Sequence, residues 1–114
     1  MSKKILPYGH QHIDEQDIHY VNEVLKSEWL TTGPVGPRFE SEFSNKTGSK
    51  YSLACSSGTA ALHLAVLALG FGPKHTVIVP AITFVATANA IRYSGATVKF
   101  CDVEKDTGLI SLEH

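Results

Sequence analysis

Four small polar residues, Ser56-Ser57-Gly58-Thr59, stand where the alternating segment YSLACS meets the apolar run TAALHLAVLALG. At a strand-to-helix junction the first N–H groups of the helix have no intrahelical partner, and the helix dipole adds partial positive charge there. Small side chains let an anion approach those groups and hydroxyls add donors, so the knot suits a phosphate. It matches neither the dinucleotide glycine fingerprint nor the P-loop pattern, which sets the ordinary nucleotide motifs aside. Ser-Gly-Thr at a helix start is equally the material of plain N-capping. The residues alone leave both readings open, with capping the commoner. A second candidate is Phe84, which follows the strand-like TVIVP where the next helix begins. In an α/β sheet this is the carboxyl edge of a strand, where ligands bind. An aromatic there can stack on a flat ring, or it can simply fill the core.

The other reactive side chains give less. His10 and His12 have the look of a metal pair, but no Asp or Cys completes a ligand set, so they read as solvated loop histidines and no metal is expected. His63, inside an apolar helix, reads as a core or interface residue, and Trp29 as core or as the wall of a site. Lys3, Lys4, Lys26, Lys46, Lys50, Lys74, Lys99 and Lys105 all occupy terminal, helix-surface, loop or strand-edge positions and read as solvated charge.

An ordered set of elements must position these groups. DEQDIHYVNEVLKS, residues 14–27, puts Ile18, Val21 and Leu25 on one stripe, with acids in the first turn and Lys26 in the last, and predicts a helix. WLTTGPVGPR is a loop by its glycines and prolines. A second short helix is expected to start at Pro37, bury Phe39 and Phe43, and stop near Gly48. Beyond it the texture becomes strand, helix, strand, helix, strand: YSLACS, TAALHLAVLALG, TVIVP, TFVATANAIRYSG and TVKFCDV. That order argues for right-handed crossovers in a largely parallel sheet, buried on both faces. The fold class is α/β.

With 114 residues and 43% apolar content the chain has the length and material of one domain. A net charge of −1 and a pI near 6.6 give no electrostatic reason to expect nucleic acid or an acidic membrane as partner. Pro7 and Gly9 break any signal-like core in MSKKILPYG, and the longest apolar run is too short to span a bilayer, so a cytoplasmic location is expected. Cys55 and Cys101, in apolar strand-like runs, read as buried thiols.

SSGTAALHLAVLALG, VPAITFVATANAI and GATVKFCDV, preceded by LPYGHQHIDEQDIHYVNEVLKSEWLTTGP, resemble the N-terminal part of the pyridoxal-phosphate-dependent sugar aminotransferases of the DegT/DnrJ/EryC1/StrS type. Within that family the chain is most similar to the branch acting on UDP-linked 4-keto-6-deoxy amino sugars on the way to pseudaminic acid. Many relatives there carry Asn and Ala where this chain has Ser56 and Gly58. The resemblance implies the large domain of the fold-type I transferases, a three-layer α/β/α structure with a mostly parallel sheet. Residues 1–50 would be a helical lead-in segment with a substrate-side loop, and 51–114 the first βαβαβ part of the cofactor-binding domain. It implies that the Thr59 and Ala60 N–H groups hold the phosphate of pyridoxal 5'-phosphate, with Gly58 permitting close approach and Phe84 stacking on the ring. Tyr8 and Glu28-Trp29-Leu30-Thr31 would line the site for the sugar nucleotide. The other partners implied are an amino-acid donor, such as glutamate, and a second copy of the complete protein in a homodimer.

The family's reaction needs a lysine that forms a Schiff base with the cofactor and an acid paired with the pyridinium nitrogen. In relatives both lie further along than His114, so no catalytic residue is expected in this chain, and the isolated 114 residues are expected to be inactive. DTGLISLEH reads as a turn with Ser111 as the N-cap of another helix, so the chain is expected to be truncated, although Leu-Glu-His could be a cloning remnant. Two alternatives stay open: a dehydratase of the same fold that replaces the lysine by histidine, and a non-catalytic ligand-binding or regulatory fragment.

Overall fold

Asp14 opens the first helix. Its side chain accepts from the Gln16 and Asp17 N–H groups while the Asp17 carboxylate accepts from the Asp14 N–H, a reciprocal capping box. Helix α1 (Glu15–Lys26) ends at Ser27, whose N–H and hydroxyl both donate to the Val24 carbonyl at 3.0 and 2.8 Å. The computed structural model describes residues 9–113, which fall into two compact units divided between Ala54 and Cys55.

Helix α2 (Val35–Thr47) begins earlier than the expected Pro37. Pro37 is the third residue of its first turn, where a missing N–H leaves no intrahelical bond unmade. Gly48 ends the helix at φ 71°, a left-handed conformation that glycine adopts without strain. Phe39 and Phe43 meet with ring centroids 5.9 Å apart, as predicted for an i, i+4 pair. They are not buried, remaining 55% and 51% exposed.

The first predicted strand is also absent. Residues 51–56 pair with no other strand among the described residues. The segment is held by side chains of α2: Glu40 Oε1 accepts the Ala54 N–H at 2.8 Å and Ser44 Oγ donates to Ser52 Oγ at 2.8 Å. Alternation in sequence makes a strand only where a neighbouring strand supplies the ladder. Cys55, expected buried in that strand, is correspondingly exposed, while Cys101 is partly buried and donates to the Ser111 carbonyl.

The second unit contains helix α3 (Gly58–Ala68), strand β1 (Thr76–Pro80), helix α4 (Val85–Tyr93) and strand β2 (Thr97–Cys101). Gly70, at φ 72°, closes α3 by donating to Leu67, and Phe71 donates to Val66, the paired bonds of a Schellman stop. β1 and β2 are parallel, in register from Thr76 opposite Thr97 to Pro80 opposite Cys101. Val79, Ile91 and Ala96 form the core, with Val66, Val77 and Val98 packed against it. α4 lies against both strands, and α3 packs on α4, where the His63 and Tyr93 rings meet edge to face at 5.3 Å. His63 is therefore a helix-interface residue.

Strand residues alternate between faces, so Ile78 points away from the Val77 and Val79 side. It is 61% exposed, with no helix over it among the described residues. After β2 the chain turns through Gly108, and Val103 bridges Ile110 in antiparallel sense. Ser111 is buried, and its hydroxyl accepts the Glu113 N–H at 3.3 Å, as an N-cap would.

Candidate functional site

The knot lies where the sequence places it. Ser57 is the N-cap of α3, in extended conformation, and its Oγ accepts the Ala60 N–H at 3.1 Å. Its carbonyl accepts the Ala61 N–H at 3.0 Å. Among the described residues the Gly58 and Thr59 N–H groups donate to nothing. A methyl group built on Gly58 would meet no atom within 4 Å, so the chain's own packing does not demand glycine there. The space beside it is open.

That space is a cavity of about 590 Å³ lined by Gly58, Thr59, Leu62 and Ala65 of α3 together with Phe84 and Ala86. Its volume falls within the roughly 300–1,000 Å³ of small-molecule sites. Phe84 is the N-cap residue of α4 and is 68% exposed, which removes the core reading among the described residues. Thus Phe84 borders one pocket with Gly58-Thr59, a pair distant from it in sequence, so an aromatic residue and the first turn of α3 share the site. Ala60 does not line it. Sequence reasoning missed Ala86, whose only signal was its place in the first turn of α4, and Leu62, one of the apolar positions of α3.

Such a pocket can hold a molecule with an anionic group and a flat ring. The first turn of α3 could receive an anion without a charged side chain, and Leu62 and Ala65 give the pocket an apolar lining. The described lysines are all exposed, and none lines this pocket.

The substrate-side residues belong to the first unit. Tyr8 lies outside the described residues. Trp29 and Leu30 border a pocket of about 370 Å³ with Val24, Thr32, Gly33 and Val35, while Glu28 and Thr31 line neither this pocket nor that between α1 and α2. The Trp29 N–H donates to Ser27 Oγ at 3.3 Å, so the residue that ends α1 also orients the tryptophan backbone. Thr32 adopts φ 52°, unusual outside glycine, and a methyl group on Gly33 would come within 2.7 Å of Trp29 Cβ. Close approach is what requires Gly33.

A family model described as the DegT/DnrJ/EryC1/StrS aminotransferase family matches residues 11–114. A UDP-4-amino-4-deoxy-L-arabinose–oxoglutarate aminotransferase of Shewanella sediminis is 44% identical over 106 residues, 93% of this chain and 27% of that protein. Among solved structures, a chain named as a sugar aminotransferase from Streptococcus pneumoniae, in its PLP form, superposes with TM-score 0.85 at 35% identity. The match covers 95% of this chain and 28% of that one. An E. coli GDP-4-keto-6-deoxy-D-mannose-3-dehydratase with bound hydrated PLP superposes with TM-score 0.82 at 31% identity, over 94% of this chain and 29% of that one. The chain therefore spans a little over a quarter of the length of these relatives, and its architecture is an α/β part of the fold-type I transferases.

Proposed function

We propose, because this chain belongs to the DegT/DnrJ/EryC1/StrS aminotransferase family, that it forms the phosphate-and-ring end of a pyridoxal phosphate site. The enzyme it serves would transfer an amino group from glutamate to a UDP-linked keto sugar. The observation that carries this reading is the shared pocket of Gly58, Thr59 and Phe84. The first turn of α3, Gly58 to Ala60, would hold the phosphate through N–H groups and the helix dipole. Phe84 would stack on the ring and keep its face dry. When bound, the cofactor supplies an electron sink, and the protein's part is to orient it and exclude water.

For the acceptor we propose a UDP-linked 4-keto-6-deoxy amino sugar aminated at C4, as in pseudaminic acid synthesis. The Shewanella relative, named for a UDP-4-amino sugar and oxoglutarate, supports UDP, the 4-position and a glutamate/oxoglutarate pair. Glu28, Trp29, Leu30 and Thr31, together with Tyr8, would contribute to the sugar-nucleotide side. The family resemblance also suggests a cytoplasmic homodimer. A second reading, a dehydratase, draws on the similarity to the E. coli dehydratase.

The test supplies pyridoxal phosphate, glutamate and the UDP-linked keto sugar, and follows 2-oxoglutarate and the aminated sugar. A chain that carries the family's downstream lysine is expected to form both, and the 114 residues alone neither. Turnover by the 114-residue chain would contradict the assignment of the catalytic lysine elsewhere. Loss of a sugar hydroxyl without gain of an amine would favour the dehydratase.

A further inference from the structure

Residues 51–56 alternate as a strand does, yet none of them makes a backbone–backbone hydrogen bond among the described residues. Tyr51 and Leu53 are 78% and 75% exposed, and the stretch holds no charged residue and no proline. Such a segment is a template for another strand. One of its ladder donors is already taken: Glu40, partly buried in the middle of α2, accepts the Ala54 N–H through Oε1 at 2.8 Å. Ser44, one turn further along α2, donates to Ser52 Oγ at 2.8 Å, and Ser49 Oγ lies 3.2 Å from the same hydroxyl. The spacings match. The step from Glu40 to Ser44 rises roughly 6 Å along a helix, and that from Ser52 to Ala54 spans roughly 6.6 Å when extended. Helix and segment run in opposite senses, Glu40 meeting Ala54 and Ser44 meeting Ser52.

We propose that Glu40 is an edge guard: its carboxylate occupies the Ala54 N–H and so closes one edge of 51–56 to strand pairing. In an extended chain alternate N–H groups lie on the same edge, so a strand arriving on that edge needs the Ala54 donor for its ladder. An ionised carboxylate only accepts, so it satisfies the N–H and offers no donor through which a ladder could continue. The bond is charge-assisted, and a partly buried carboxylate is less screened than a surface one. Natural sheets close their edges with charged side chains or with covering helices. Here one helix supplies both.

The experiment uses the 114-residue chain carrying Ile78→Lys, which reduces association through the open sheet face, and adds Glu40→Gln or Glu40→Ala to it. Amide hydrogen exchange reads the Ala54 N–H, while light scattering and thioflavin T fluorescence read association. Far-UV circular dichroism follows the helices, which alanine favours at least as well as glutamate. Glu40→Ala is expected to speed exchange at Ala54 about tenfold to a hundredfold, the scale of a lost hydrogen bond to a charged group, and to associate at lower concentration than its parent. Glu40→Gln keeps an acceptor oxygen and is expected to stay close to the parent in both. Adding Ala54→Pro to Glu40→Ala removes the donor itself and is expected to reverse the association, because proline blocks that edge. Association that persists with Ala54→Pro would trace it to a general loss of structure and overturn the guard. Unchanged exchange at Ala54 in Glu40→Ala, or faster exchange with no gain in association, would overturn it as well.

Discussion

At the scale of single residues, the pocket between the first turns of α3 and α4 depends on Phe84. Its ring is exposed, it caps α4 without a side-chain hydrogen bond, and it borders the same cavity as Gly58 and Thr59. Aromatic stacking contributes about 0.5–1.5 kcal/mol beyond area burial. Phe84→Ala is therefore expected to weaken pyridoxal phosphate binding by roughly threefold to tenfold, and Phe84→Tyr to preserve it. Equilibrium titration reads this directly, and an unchanged affinity in Phe84→Ala would remove the ring from the site. The residue types here were legible in the sequence: small and hydroxylic at 56–59, aromatic at 84. Which N–H groups remained free was not, because that depends on where the Ser57 hydroxyl turns, and a hydroxyl can cap either of two donors.

Elements were legible where their own residues suffice to form them. α1 carries both halves of its capping box in its sequence, and α3 carries its glycine stop. β1 and β2 were found because α4 connects and covers them. YSLACS failed as a strand because pairing, unlike helix formation, needs a second segment, and the carboxylate of Glu40 took its place at Ala54. The start of α2 was misplaced because proline fits the third position of a first turn as well as the first. The loop after α1 makes its own prediction. Gly33→Ala would drive a methyl to within 2.7 Å of the Trp29 side chain, an overpacking that costs about 1–3 kcal/mol. Chemical denaturation should show that loss and a change in Trp29 fluorescence. A variant as stable as the wild type would mean that Trp29 can move aside.

For the whole molecule, the balance lies between a small core and much uncovered apolar surface. Val79, Ile91 and Ala96 are buried, yet Ile78, Phe100, Leu53 and Leu112 are exposed, and both strands of the two-stranded sheet have an open edge among the described residues. Exposed apolar faces and unpaired edges favour association. The 114-residue chain is expected to self-associate at micromolar concentration and to bind a hydrophobic dye. Ile78→Lys should reduce both while changing stability by no more than about 0.5 kcal/mol, and a monodisperse monomer in light scattering would contradict the expectation. The α/β class was legible from the order of elements alone. The covering of the sheet was not, because periodicity reports which faces are apolar and not what lies against them.

The central claim is that the first turn of α3 and Phe84 form one cofactor site. A crystal structure of the protein with pyridoxamine phosphate tests it most directly. The account predicts the phosphate at the first turn of α3, Gly58 to Ala60, and the pyridine ring against Phe84. Pyridoxamine phosphate bound elsewhere, with the first turn of α3 unoccupied, would contradict it.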